Sequence, residues 1–137
     1  MSGHVKYSDE WMMNDTVKTY RDFGPCIMEA NISDELYHIL WSNALELRKQ
    51  KRPETDHRKF LAGNIAEEYA YINQFSKEED KRVETELTWF AREYSHRATN
   101  QYGLKKPHDI KSFEDITLVK PLWVNFQKKH EWNPPHT

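Results

Sequence analysis

Two stretches of this chain repeat their apolar residues every three to four positions, and a third alternates every second position. In the first stretch Leu36, Ile39, Leu40, Asn43, Ala44 and Leu47 fall on one side of a 3.6-residue repeat. That spacing predicts a helix from Ile32 to about Arg52. Ser33 or Asn31 caps its first N–H groups, and Asp34 and Glu35 suit the positive end of its dipole. Arg48, Lys49, Lys51 and Arg52 suit the negative end, and Pro53 stops it. The basic run there reads as a solvated helix terminus.

The second periodic stretch runs from Ser76 to about Tyr102. Ser76 followed by Glu79 is the capping-box spacing. Val83, Leu87, Phe90, Ala91, Tyr94 and Ala98 form its apolar stripe, with Asp80, Lys81, Glu84, Arg92 and Glu93 on the other side. Gly103 provides the C-terminal stop, with Pro107 beyond. His96 reads as a structural or exposed histidine of this helix.

The alternating stretch lies near the end of the sequence. From Lys120 onward Leu122, Val124 and Phe126 share one face, and Trp123, Asn125 and Gln127 share the other. This predicts a strand over 116–127. Pro121 cannot donate to a ladder, so it marks an edge, a bulge or the strand's start. The mixed face has two readings: contact with solvent, or the wall of a wet cavity in which the amides find partners.

The rest is less periodic. Residues 1–15 form a polar arm carrying Trp11, Met12 and Met13. Thr16–Tyr20 and Pro25–Glu29 read as short strands about an Asp22-Phe23-Gly24-Pro25 turn. Glu54–Lys59 is a charged loop with His57 at its surface. Phe60–Ile72 fits a turn with a short helix capped by Asn64, or a strand through Tyr69–Ile72. Residues 104–115 form a polar connector anchored by Phe113.

Composition narrows the function classes. At 137 residues with 37% hydrophobic and 31% charged residues, the chain is one globular domain or most of one. A net charge of −2 gives no basic patch for nucleic acid. No apolar run is long enough to span a membrane or serve as a signal peptide, so the expected location is cytoplasmic. Cys26 is the single cysteine, which excludes an intrachain disulfide or a thiolate zinc cluster. The four glycines form no phosphate loop. The candidate chemistry is in KHEWNPPHT: His130 and His136 as imidazole metal ligands or surface histidines, with Glu131 as a conceivable carboxylate partner or part of a packing turn.

The segments FGPCIMEANISDELYHILWSNALELRK, FLAGNIAEEYAYI, ELTWFAREYSHRATNQYG and LWVNFQKKHEWNPPHT together resemble the N-terminal part of a phage-type Fe(II)/2-oxoglutarate-dependent oxygenase. The resemblance covers roughly residues 24–137. It implies an α+β chain whose helices support a double-stranded β-helix, or jelly-roll. The helical support would be residues 32–103, and the first core strand and metal loop 116–137, all in one domain. In the family a strand bearing W-x-N is followed by a histidine-centred metal motif. Trp123-Val124-Asn125 and Asn133-Pro134-Pro135-His136 match that order. The resemblance therefore implies Asn125 at the 2-oxoglutarate pocket and His136 as the first Fe(II) ligand. It also implies an oxidoreductase that hydroxylates a small molecule or protein. The motif would continue two residues past His136, so the jelly-roll and its metal site are expected to be incomplete at the C-terminus. The competing expectation is a non-catalytic phage structural or assembly module, whose strand 116–127 pairs with a partner chain.

Overall fold

A computed structural model describes residues 14–58, 65–103, 112–118 and 121–132, apart from the side chain of Phe113. The chain is α+β, with two helices and two small antiparallel sheets among the described residues. It divides into two compact units, Met1–Tyr37 with Glu78–Leu118, and His38–Lys77 with Val119–Thr137.

The first unit begins with a hairpin of β1 (Lys18–Tyr20) and β2 (Ile27–Glu29), in which Thr19 lies opposite Met28. The predicted turn joins them. Gly24 takes φ 108°, a conformation that a side chain resists, and its carbonyl accepts a hydrogen bond from Arg21 Nε at 2.7 Å. Both strands are shorter than their patterns, since each ladder residue needs a partner and the turn uses 21–26.

Helix α1 spans Asp34–Gln50. The capping alternatives resolve in favour of Ser33, whose Oγ accepts the Leu36 N–H at 3.1 Å. Leu36, Asn43, Ala44 and Leu47 are buried along the predicted stripe. The helix stops short of Arg52 because Lys51 turns left-handed, at φ 50°, and its N–H closes on Leu47 O at 3.0 Å.

Helix α2 spans Lys77–Tyr102 and ends as its sequence predicts, with Gly103 at φ 65° and its N–H on Thr99 O at 3.1 Å. Its buried line differs from the apolar stripe. Val83 and Ala98 are buried, but so are Arg82, Glu86 and Thr88, while Tyr94 is partly exposed. Glu86 can take a core position because it finds partners in the first unit. Tyr94 instead uses its hydroxyl, which donates to Cys26 O at 2.9 Å, and Thr19 Oγ1 donates to Gln101 Oε1 at 2.7 Å. Together these bonds fasten the hairpin to α2. Arg92 fastens the 3-10 turn Phe113–Asp115, donating to Glu114 O at 2.8 Å and Ile116 O at 3.2 Å.

The second unit contains the remainder of α1, a 3-10 turn at Pro53–Thr55, and a sheet of β3 (Glu67–Ala70) with β4 (Trp123–Phe126). The strand expected over 116–127 is thus much shorter. Residues 113–115 form the 3-10 turn, Pro121 offers no N–H, and β3 supplies only four ladder partners. Of the two readings of Phe60–Ile72, the strand holds in part: it spans Glu67–Ala70 rather than Tyr69–Ile72, because the Ile72 N–H turns back to Ala70 O at 2.9 Å, and residues 59–64 lie outside the described set. The N-terminal arm through Met13 also lies outside it. Among the described residues, no helix is long and apolar enough to cross a membrane.

Candidate functional site

The β3–β4 register fixes which side chains meet. Glu67 pairs with Phe126, Glu68 with Asn125, Tyr69 with Val124, and Ala70 with Trp123. One face carries Glu67, Tyr69, Val124 and Phe126. The opposite face carries Glu68, Ala70, Trp123 and Asn125.

The first face packs against α1. The Trp41 and Phe126 rings lie 6.4 Å apart, and Tyr69 meets Phe126 edge-on at 6.1 Å. Tyr69 donates its hydroxyl to Glu67 Oε2 at 3.0 Å. Burial raises the Tyr69 pKa, and the hydrogen bond to Glu67 adds to the shift. Tyr71, just past β3, donates to Leu40 O at 2.9 Å, and burial pushes its pKa up to about 12.

The second face contains Asn125, the residue that the resemblance places at a cosubstrate pocket. Its Oδ1 is buried and accepts no hydrogen bond from the described residues. A buried acceptor left unmet costs about 1–3 kcal/mol, so folds seldom tolerate one without a use. Across from Asn125, Glu68 is 1% exposed. Trp123, beside them, is about half exposed, and the His57 imidazole stacks on it with centroids 5.4 Å apart and planes 19° from parallel. His57 is partly exposed, so the surface reading is not overturned, but its ring is not free in solvent. Its backbone N–H donates to Glu68 O at 3.0 Å, which draws the Glu54–Lys59 loop onto β3 and the ring onto Trp123. Of the mixed face, Gln127 and half of Trp123 meet solvent, and Asn125 is partly buried.

Glu68 and His57 were the residues the sequence did not single out for this face. An acidic residue inside the short run Glu67–Ala70 was the available signal for Glu68. His57 carried none, because the stack depends on pairing between distant segments.

The loop after β4 is a turn. Glu131 Oε2 accepts the Ala66 N–H at 3.2 Å, and Glu131 O accepts from Gln127 Nε2 at 2.9 Å. Glu131 thus serves the packing turn. His130 is exposed, with φ 71°. His136 lies outside the described residues. Among the described residues, no group of three or more His, Cys, Asp or Glu side chains is arranged to hold a metal ion. The site as described is therefore an amide, a buried carboxylate and two stacked rings on one sheet face. Comparison with protein-family models, with curated proteins and with solved structures finds no match to this chain.

Proposed function

We propose that the chain is an Fe(II)/2-oxoglutarate-dependent dioxygenase or its N-terminal portion, acting in the cytoplasm on a small-molecule or protein substrate. In this reading β4 is the first core strand of a jelly-roll, and α1 supports it. The observation that carries the reading is the buried, unmatched Oδ1 of Asn125 on the strand that bears Trp123-Val124-Asn125.

The fit to 2-oxoglutarate rests on that amide. An Asn side chain has both a donor and an acceptor end, and rotation about its last torsion exchanges them. Turned one way, its NH₂ group suits a carboxylate of the cosubstrate. Trp123 and the His57 ring stacked on it supply a flat surface beside it, against which a small ligand can lie. When bound, iron and 2-oxoglutarate would supply the oxidising power for hydroxylation. His136 is the proposed iron ligand by resemblance, and no step is assigned to it.

The test is equilibrium binding of 2-oxoglutarate to the protein as its native source makes it, with Mn(II) as a redox-inert substitute for Fe(II). Asn125→Ala should weaken binding roughly tenfold or more, the cost of one hydrogen bond to a charged group. His136→Ala should remove the metal dependence. No binding by the unaltered protein, or equal binding by both variants, would overturn the assignment.

A second reading draws on the outer edge of β4. Tyr71 N–H donates to Leu122 O at 2.8 Å, which sets the phase of the ladder. Val124 and Phe126 then direct their backbone groups toward β3, and Trp123 and Asn125 direct theirs away from it. This edge favours a non-catalytic module that pairs with a strand of a partner chain. Saturable 2-oxoglutarate binding separates the two readings.

A further inference from the structure

The hairpin of the first unit has one face turned to α2 and one turned to solvent. Thr19 and Met28 share the first face, and Thr19 Oγ1 reaches Gln101 of α2. The outer face carries Lys18 across from Glu29 and Tyr20 across from Ile27, and all four residues are exposed. Tyr20 is 38% and Ile27 46% exposed, and Phe23, in the turn that joins the strands, is 98% exposed. Three large apolar side chains at one hairpin end are more than the scattered single residues of an ordinary surface.

The hairpin holds this surface in a set shape. Arg21 Nε braces the turn by its bond to Gly24 O, and Tyr94 fastens Cys26, next to Ile27, to α2. A surface that is ordered before contact loses less entropy on association. The pattern on the face then points to its partner. Each cross-strand pair holds unlike members, a cation opposite an anion and a large ring opposite a smaller aliphatic chain. A two-fold axis parallel to the strands lays β1 of one copy over β2 of another. Lys18 then meets Glu29 of the second copy, Tyr20 meets its Ile27, and the two Phe23 turns lie side by side. A two-fold axis across the strands would instead cover the Lys18–Glu29 end with the Phe23 turn, and take two charges out of water without partners.

We propose that the β1–β2 hairpin is a self-association surface. Two copies of this chain pack face to face on it, with Lys18 of each against Glu29 of the other and Tyr20, Phe23 and Ile27 covered between them. The covered apolar side chains amount to roughly 400 Å² on each copy, below the ~800 Å² of a standard interface. The dimer is therefore weak, with half-association on the order of 100 μM. Its exposed ion pairs set orientation more than affinity. This surface is separate from the β3–β4 face, so neither reading of that face bears on it.

Sedimentation velocity on the full chain tests this, at low ionic strength and from about 5 μM to about 500 μM. The unaltered protein should shift toward twice the monomer mass as concentration rises. Phe23→Ser changes a side chain that the fold leaves in solvent, and should raise the concentration needed about tenfold or more. Lys18→Glu and Glu29→Lys should each associate several-fold more weakly, since each sets like charges against one another across the axis. Mixed in equal amounts, the two variants should recover the unaltered strength, because cation and anion face each other again. An unaltered protein that stays monomeric throughout overturns the proposal. So does association that Phe23→Ser leaves unchanged, or a mixture no stronger than its two components alone. Phe23-dependent binding of a monomer to vesicles of phosphatidylcholine and phosphatidylserine overturns it in favour of a membrane surface.

Discussion

Arg48 sets its guanidinium over the Phe126 ring, 4.8 Å from the centroid, and its Nε lies 3.8 Å from Glu67 Oε2. A residue of the last turn of α1 is thereby in contact with both strands of the β3–β4 sheet. About half of the Arg48 side chain is exposed, so the ion pair itself contributes little. The stack should contribute more, about 0.5–1 kcal/mol for an exposed cation–π contact. Arg48→Lys keeps the charge but loses the planar face, so it should destabilise nearly as much as Arg48→Ala. A double-mutant cycle with Phe126→Leu, read from denaturant midpoints, checks this. A coupling energy near zero would show that the ring does not hold the guanidinium.

Tyr94 to Cys26 is the corresponding tie in the first unit. Tyr94→Phe removes the bond to the Cys26 carbonyl and should cost about 1 kcal/mol. Cys26 is buried, so the loosened hairpin should also expose its thiol. Thiol modification should run faster in the variant than in the unaltered protein. Equal rates with unchanged stability would mean that other contacts hold the hairpin in place.

Both helices were legible in the sequence because their periodicity and end signals agree. Ser33, Pro53 and Gly103 each mark a boundary within a few residues of the observed one. The hairpin was legible for a similar reason, since Gly24 and Pro25 punctuate it. The buried polar residues of α2 were not. Arg82 and Glu86 look like solvated charges to any periodic reading, and only Ser33, more than forty positions away, makes Glu86 a core residue. The strand through Trp123 was overextended for a related reason. Alternation marks which residues can form a strand, while its length is set by β3. Asn125 was legible by face, but its buried oxygen was not, and His136 lies outside the described residues.

Tyr71 gives a pH signature of the second unit. Burial holds its phenol neutral to about 12, above the ordinary value of 10.0. The neutral form is the one the fold prefers. Stability should therefore be intact below pH 10.0 and should fall as pH rises from there to about 12. Ultraviolet titration of tyrosinate should show Tyr71 and Tyr69 ionising later than exposed tyrosines, and in a Tyr69→Phe background Tyr71→Phe should remove the late component. Removing it also leaves Leu40 O without its donor, so the variant should be less stable by about 1 kcal/mol at neutral pH. Retention of the late component with both substitutions in place would assign it to another residue.

The pairing of Asn125 with Glu68 makes one position sensitive to charge but tolerant of truncation. Asn125→Ala deletes an oxygen that accepts no hydrogen bond from the described residues, so stability should change by less than about 1 kcal/mol. Asn125→Asp places a second carboxylate directly across from a buried one. Like charges opposed across a ladder repel, and in a site shielded from water the repulsion should cost on the order of 2 kcal/mol or more at neutral pH. Such a pair lowers the cost by sharing a proton, which raises a carboxyl pKa in the fold. The penalty is therefore present above that raised pKa and should fade as pH drops through it. Denaturant midpoints of the two variants from about pH 4 to about pH 8 test this relationship across the carboxylate range. Asn125→Asp should approach Asn125→Ala at the acid end and fall well below it at the neutral end. If the two variants track each other at every pH, the introduced carboxylate has turned away from Glu68 into solvent.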